Sequence, residues 1–170
     1  VEVLPDVAAP GLDVLFCGLA GAESIKLRDH RYEGPGNSFW DSLHRSGFTP
    51  RRLAPEEDGT VTAYGVGLTD LVGHWDPRWV EVDRLVALCE QTEPEWLAFT
   101  SKGAAGEAAR ALGVRPLAAA TRLGPQSWSV GPAQVFVLPG VSAANQRRDY
   151  DGRPTRLSWW ADLAMLCGRA

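Results

Sequence analysis

Four short apolar runs punctuate this chain, and what lies between them limits the fold more than any other feature. They cover residues 12–17 (LDVLFC), 66–72 (VGLTDLV), 96–100 (WLAFT) and 135–138 (VFVL). Runs this short and this continuously apolar read as buried strands covered on both faces. The intervening segments carry helical spacing instead. Asn37 opens a helix that turns Phe39, Trp40 and Leu43 inward and ends near Ser46 and Gly47. Asp76-Pro77 opens another, in which Trp79, Val82, Leu85, Val86 and Cys89 recur until Pro94. An alanine-rich helix follows Ser101-Lys102-Gly103 as far as Leu112, and residues 157–166 close the chain with Trp160, Leu163, Ala164 and Cys167 on one side. Strands alternating with helices need crossovers, and crossovers leave neighbouring strands parallel. The expectation is a single α/β domain over residues 1–170, a three-layer α/β/α sandwich around a mostly parallel four-stranded sheet. Residues 1–10 read as a surface lead-in, residues 51–62 as a polar connection, and residues 113–134 as a loop rich in glycine and proline.

Ligands of open α/β sheets meet the carboxyl ends of the strands. Here those ends run into small residues. The first strand empties into Gly18, Leu19, Ala20, Gly21 and Ala22, read as a tight turn. The third runs into Ser101-Lys102-Gly103, and the last into Pro139-Gly140-Val141-Ser142-Ala143-Ala144-Asn145. Residues 24–31 alternate in charge and read as a loop closing over a pocket. Composition excludes other classes. Hydrophobic residues make up 45% and charged residues 22%, so disorder is not in play. No run approaches the roughly 18 apolar residues of a membrane span, and no charged-then-apolar leader opens the chain, so a cytoplasmic protein without membrane contact is expected. Cys17, Cys89 and Cys167 sit in apolar patterns without metal spacing and read as reduced core thiols. The net charge of −4 argues against a broad basic face, but Arg147, Arg148, Arg153 and Arg156 cluster near the carboxyl end, either as a patch that docks phosphates or as a solvated loop.

The run from VLFCG through YEGPGNSFW to SGFTPRRLAPEE, with YGVGLTDLV after it, resembles the mismatch-specific uracil and thymine DNA glycosylases of the uracil-DNA glycosylase superfamily. Gly18 to Tyr32 fits that family without a gap. The resemblance weakens after Val72 but continues through PEWLAFTSKGAAGEAA and LGPQSWSVGPAQVFVLP. It implies hydrolytic excision of uracil, and of other damaged pyrimidines, from DNA by a monomer that needs no cofactor and no metal. The partner would be DNA carrying uracil or a mismatched or damaged base. Such chemistry needs room for a flipped base, a plane to stack on it, groups that read its edge, and a route for water to the sugar.

The resemblance supplies a role for each candidate residue. Tyr32 would stack on the extruded base, or serve only as a half-buried anchor. Gly18, Leu19 and Ala20 would offer backbone groups to the base. Ala22 would leave room for substituents at C5, where the uracil-specific branch carries a bulky ring. Asp70 would accept from the base edge where related enzymes carry asparagine, or would cap the following segment. Ser142, Asn145, Gln146 and Arg147 would grip the strand and fill the gap left by the base, and Lys102 would pair with phosphate or cap a helix. Two departures stand out. Ala20 occupies the position of the family's water-holding asparagine, and Gly140-Val141-Ser142 replaces its Asn-Pro-Ser. Glu23 is then the candidate to polarise water, with His30 or Asp29 as alternatives, or no replacement at all. Two other readings remain open: a catalytically impaired binder of DNA or damaged bases, and an enzyme acting on free nucleosides.

Overall fold

β1 (Val14–Ala22) is an interior strand of the sheet in the computed structural model, which describes residues 4–22, 29–74, 80, 82–145 and 147–169, with the backbone alone for residues 21, 22, 73 and 74. It pairs in parallel with β2 (Val66–His74) on one side and with β3 (Trp96–Phe99) on the other. β3 pairs in parallel with β5 (Ala133–Val137), and β4 (Gly124–Val130) closes the far edge antiparallel to β5. The order is β2-β1-β3-β5-β4. The α/β class and the mostly parallel sheet agree with the expectation. The strand number does not: the sheet has five strands, and the additional one is β4, inside the segment read as a loop. Along β4 exposed and covered residues alternate, as suits an edge strand with one wet face, so it lacks the continuous apolar run that marks the central strands.

Five helices flank the sheet among the described residues: α1 (Phe39–Arg45), α2 (Val82–Thr92), α3 (Lys102–Leu112), the single turn α4 (Leu117–Ala120) and α5 (Arg156–Leu166). The Asp76-Pro77 start expected for α2 and Trp79 lie outside the described residues. Phe16 packs edge-on against Phe39 of α1, with ring centroids 5.2 Å apart, and stacks on Trp160 of α5 at 5.3 Å. Cys17 points the opposite way, toward Cys89 of α2. All three cysteines are free and buried, and burial pushes the Cys89 and Cys167 thiols up to about 12. In α3, Ala104, Ala105, Ala108 and Ala109 are buried, and their small side chains let the helix lie close to the sheet. Ser101 caps it by accepting from the Ala104 amide at 3.0 Å. None of the described helices is long and apolar enough to cross a membrane.

Two connections carry more structure than their polarity suggests. Residues 55–64 form a 3₁₀ helix, Pro55–Tyr64, anchored by the fully buried Val61. The amino-terminal lead-in is also part of the fold. Val7 exchanges backbone hydrogen bonds with Leu68, at 2.9 and 2.7 Å, and so covers the free edge of β2.

Candidate functional site

The residues read as a tight turn are strand. β1 continues through Gly18, Ala20 and Ala22 in register with Asp70, Val72 and His74 of β2, because that neighbour runs equally far and keeps the backbone extended. β3 stops at Phe99, opposite Cys17. Beyond that point β1 keeps one neighbour and loses the other. The Cys17 carbonyl accepts from the Thr100 amide at 3.1 Å, so it faces the β3 side. Backbone direction alternates along a strand. Leu19 therefore presents its amide and carbonyl to the edge that β3 has vacated, while those of Gly18 and Ala20 face β2. Of the three residues expected to offer backbone groups, the geometry leaves that role to Leu19.

Gly18 does something different. A methyl on its α-carbon would lie 2.5 Å from Asp70 Oδ1 and 3.2 Å from the Tyr32 hydroxyl, so a carboxylate and a phenol converge on the space that a side chain would fill. Tyr32 is half-buried and left-handed, with φ of 57°. Its ring stacks on Phe39 with centroids 4.0 Å apart, and its hydroxyl lies 3.1 Å from Thr100 Oγ1. Burial, and then the charge of Asp70, raise its pKa well above the ordinary tyrosine value. Phe39 thus fixes one face of the ring, and the hydroxyl is tied to the end of β3.

Asp70 is 4% exposed. Its Oδ2 accepts from Arg31 Nε at 2.7 Å, whereas its Oδ1 has no hydrogen-bond partner among the described residues. Arg31 is equally buried, and it also donates from Nη1 to the Pro5 carbonyl at 2.7 Å and from Nη2 to the Leu4 carbonyl at 3.3 Å. On the other side of β2, Asp6 accepts from Thr69 Oγ1 and from Arg84 Nη1, both at 2.6 Å. Burial pushes the Asp70 carboxyl above the usual range, and the Arg31 guanidinium opposes that push. A capping role for Asp70 does not fit this geometry, because its side chain sits within the sheet register beside Gly18.

The other sequence candidates separate. His30 Nδ1 lies 3.2 Å from Asp58 Oδ2 of the 3₁₀ helix, so it is engaged away from Gly18 and Asp70. Asp29 is exposed. Glu23 and Gln146 lie outside the described residues, as does the side chain of Ala22. Ala20 is half-buried in β1.

The loop after β5 is brought against the segment that precedes α1. The Ser38 amide donates to the Val141 carbonyl at 2.9 Å, and a methyl on Gly36 would lie 2.9 Å from Ala143 Cβ. A cavity of about 490 Å³ opens on the far side of this loop, between it and the start of α3. Lys102, Ser142, Asn145, Arg147, Tyr150 and Asp151 are among the residues lining it. Ser142 is exposed, and its Oγ accepts from the Ala144 amide at 3.2 Å. Asn145 is turned onto its own loop, donating to the Gly140 carbonyl at 2.8 Å. Lys102 Nζ lies 2.7 Å from Asp151 Oδ1, so the lysine is paired rather than free.

The arginine cluster divides in two. Arg153 pairs with Asp162 at 2.7 Å and lies 3.7 Å over the Trp159 ring, and Arg156 donates to the Gly140 and Ser142 carbonyls at 3.1 and 3.3 Å. Arg147 and Arg148 are exposed, with side chains that find no partner among the described residues. Sequence reading missed Arg31, Thr100 and Arg84. Arg31 lies 39 residues from Asp70, so no local spacing advertises their pairing. The one available signal was an arginine directly before the stacking tyrosine. No protein-family model matches the chain.

Proposed function

We propose that this protein is a DNA glycosylase that flips uracil, and related pyrimidines bearing a ring N–H, out of DNA and hydrolyses the N-glycosidic bond. One observation carries the reading: a carboxylate oxygen of Asp70 with no hydrogen-bond partner among the described residues lies at Gly18 beside the hydroxyl of an aromatic ring. A carboxylate oxygen with accepting capacity to spare takes a ligand donor in a charge-assisted hydrogen bond. The uracil N3–H supplies such a donor to Asp70 Oδ1. The face of Tyr32 turned away from Phe39 receives the base, and the Leu19 backbone meets its carbonyls. Water attacks the sugar carbon, the bonding electron pair leaves with the base, and Glu23 polarises the water. His30 anchors its loop to Asp58 in this proposal. Ser142, Asn145, Gln146 and Arg147 border the strand path, with the exposed Arg147 and Ser142 meeting phosphate.

The reading includes the three-layer α/β/α arrangement of the uracil-DNA glycosylase superfamily, supported by Phe16 meeting α1 and α5 while Cys17 meets α2. It also includes a cytoplasmic monomer working without a cofactor. The test is incubation with uracil-containing oligonucleotides, followed by alkaline cleavage at abasic sites. Cleavage at the uracil position is expected. Glu23→Gln should lower turnover about 10²–10⁴-fold, the usual loss for a general base, with binding retained. A second reading, a binder of damaged DNA without turnover, is favoured by Ala20 in β1 and by the engagement of His30 with Asp58. Tight binding to a uracil-containing strand without cleavage would select it.

A further inference from the structure

Asp70 is pulled in two directions, and the balance decides what a base must offer it. The titratable groups whose charge acts on it are Arg31 and Tyr32 of the loop before α1, which share its face of the sheet, and Cys17 of β1, Asp6 of the amino-terminal segment and Arg84 of α2. Burial and Asp6 favour the protonated acid, and the two arginines favour the carboxylate, Arg31 the more strongly. Arg31 cannot turn away easily, because the Leu4 and Pro5 carbonyls hold both ends of its guanidinium while Nε stays 2.7 Å from Oδ2. The two oxygens of Asp70 therefore have separate duties, one fixed on Arg31 and the other turned toward Gly18 and the tyrosine.

Building on the glycosylase reading, we infer that Arg31 is a positioning residue that sets base selection: it holds Asp70 as a carboxylate whose Oδ1 only accepts, so the site admits bases with a ring N–H and refuses cytosine-type bases. A carboxylate facing the N3–H of uracil makes a charge-assisted hydrogen bond. Facing the lone pair on N3 of cytosine, it meets another acceptor, and the donor that cytosine offers on this edge, the N4 amine, lies beside that line and not on it. A protonated Asp70 would reverse this, because Oδ1–H could donate to N3 of cytosine.

Matched single-stranded oligonucleotides carrying 5-fluorouracil or 5-fluorocytosine test the inference, since both leave readily and the ring nitrogen of 5-fluorocytosine stays unprotonated in mildly acidic buffer. The titration of Asp70 in the DNA-free protein is read separately by carboxyl ¹³C NMR. Arg31→Gln is expected to move the Asp70 midpoint upward and to lower the kcat/KM ratio of 5-fluorouracil to 5-fluorocytosine at least tenfold at neutral pH. Arg31→Lys, which keeps the charge, should hold the ratio within a few-fold of wild type. In the wild-type protein the ratio should fall as pH drops through the Asp70 midpoint, and this series decides the matter if Arg31→Gln does not fold. An unmoved midpoint in Arg31→Gln, or a ratio constant across the titration, overturns the inference while uracil excision leaves the glycosylase reading standing. Absence of both excision and binding in the wild type overturns the two together.

Discussion

The corner around Gly18 and the loop after β5 lie at the same end of the sheet but are made of opposite materials. The corner buries its charges, and its hydrogen bonds come from residues distant in sequence: Asp70 is held by Arg31, Arg31 by Leu4 and Pro5, Tyr32 by Thr100. The loop exposes its side chains and is stapled through its own backbone, with Asn145 and Arg156 both donating to the Gly140 carbonyl. The difference suits the two tasks of the proposed function. Reading one base edge needs fixed partners in a dry site, where a misplaced acceptor is expensive. Holding a phosphate chain needs reachable charge and tolerates movement. Removing a charge from each region should therefore have unequal consequences. Arg31→Met leaves Asp70 buried without its cation and should destabilise by about 3–5 kcal/mol, whereas Arg147→Ala should stay within about 0.5 kcal/mol. Urea unfolding of both variants checks this. The double variant Arg31→Met with Asp70→Leu should recover much of the loss, since a buried pair replaced by apolar groups is often neutral. If the two single losses came out equal, the contrast between a locked corner and a loose loop would be gone.

Gly18→Ala attacks the same corner by shape instead of charge. The added methyl would stand 2.5 Å from Asp70 Oδ1, and Asp70 cannot swing aside while Arg31 holds its other oxygen. β1 and β2 must then shift apart where they are paired. A cost of about 1–3 kcal/mol is expected, the usual range for overpacking. At a temperature where the variant is folded, uracil excision should fall about 10²-fold, the penalty for displacing a reacting group by about 1 Å. Gly140 provides the control, because the nearest atom to a methyl there is Asn145 Nδ2 at 3.1 Å, the movable end of a side chain in an exposed loop. Gly140→Ala should cost less on both measurements.

These two regions also differ in how far they could be read from the chain. The central strands announced themselves, because burial on both faces forces an unbroken apolar run, and Val14, Leu15, Phe16 and Cys17 are all fully buried. β4 did not, since an edge strand alternates, and Ser127-Trp128-Ser129-Val130 is a pattern that the neighbouring Gly and Pro obscure. Gly18 was read with the wrong geometry. Small residues after an apolar run suggest a turn, yet here they let β1 continue beside β2 while Asp70 occupies the space above them. Tyr32 and Asp70 were legible through a family resemblance, whereas Arg31 was invisible because its meaning depends on a residue 39 positions away. The arginine cluster was legible as composition only. Which members face solvent is decided by Trp159, Asp162 and the carbonyls of the loop itself.

Arg147 sharpens the comparison from the loop's side. Its side chain is exposed, so truncation to alanine should leave unfolding unchanged and act on DNA alone. One lost phosphate contact flattens the dependence of log affinity on log salt by roughly 0.7–0.9 and weakens binding evenly across sequences. Fluorescence anisotropy over a salt series measures both. Under the proposed function, base selection between uracil and cytosine should not move, because the arginine would reach the backbone and not the corner. A variant that changed selection while keeping the salt slope would assign Arg147 to the base instead.

The smallest effect belongs to Asp151, which sits where the cavity meets the start of α3. Its partial burial raises the carboxyl, but the Leu123 amide at 2.9 Å and Lys102 at 2.7 Å more than offset this and leave it below the usual carboxylate range. A depressed carboxylate stabilises the fold at pH above its unfolded value near 4, and that contribution disappears as pH falls through the lower folded value. Asp151→Asn should therefore lower stability slightly at neutral pH, by less than about 1 kcal/mol because water screens the pair, and the difference from wild type should shrink in acid. Binding should change in the other direction. Without Asp151 the Lys102 ammonium is released into the cavity, and if a phosphate docks there the DNA affinity rises a few-fold with a steeper salt dependence. A protein that loses stability and gains grip through one substitution would show that the cavity end is tuned for charge that comes and goes. The corner at Gly18, where Arg31 and Asp70 are both buried, offers no comparable exchange.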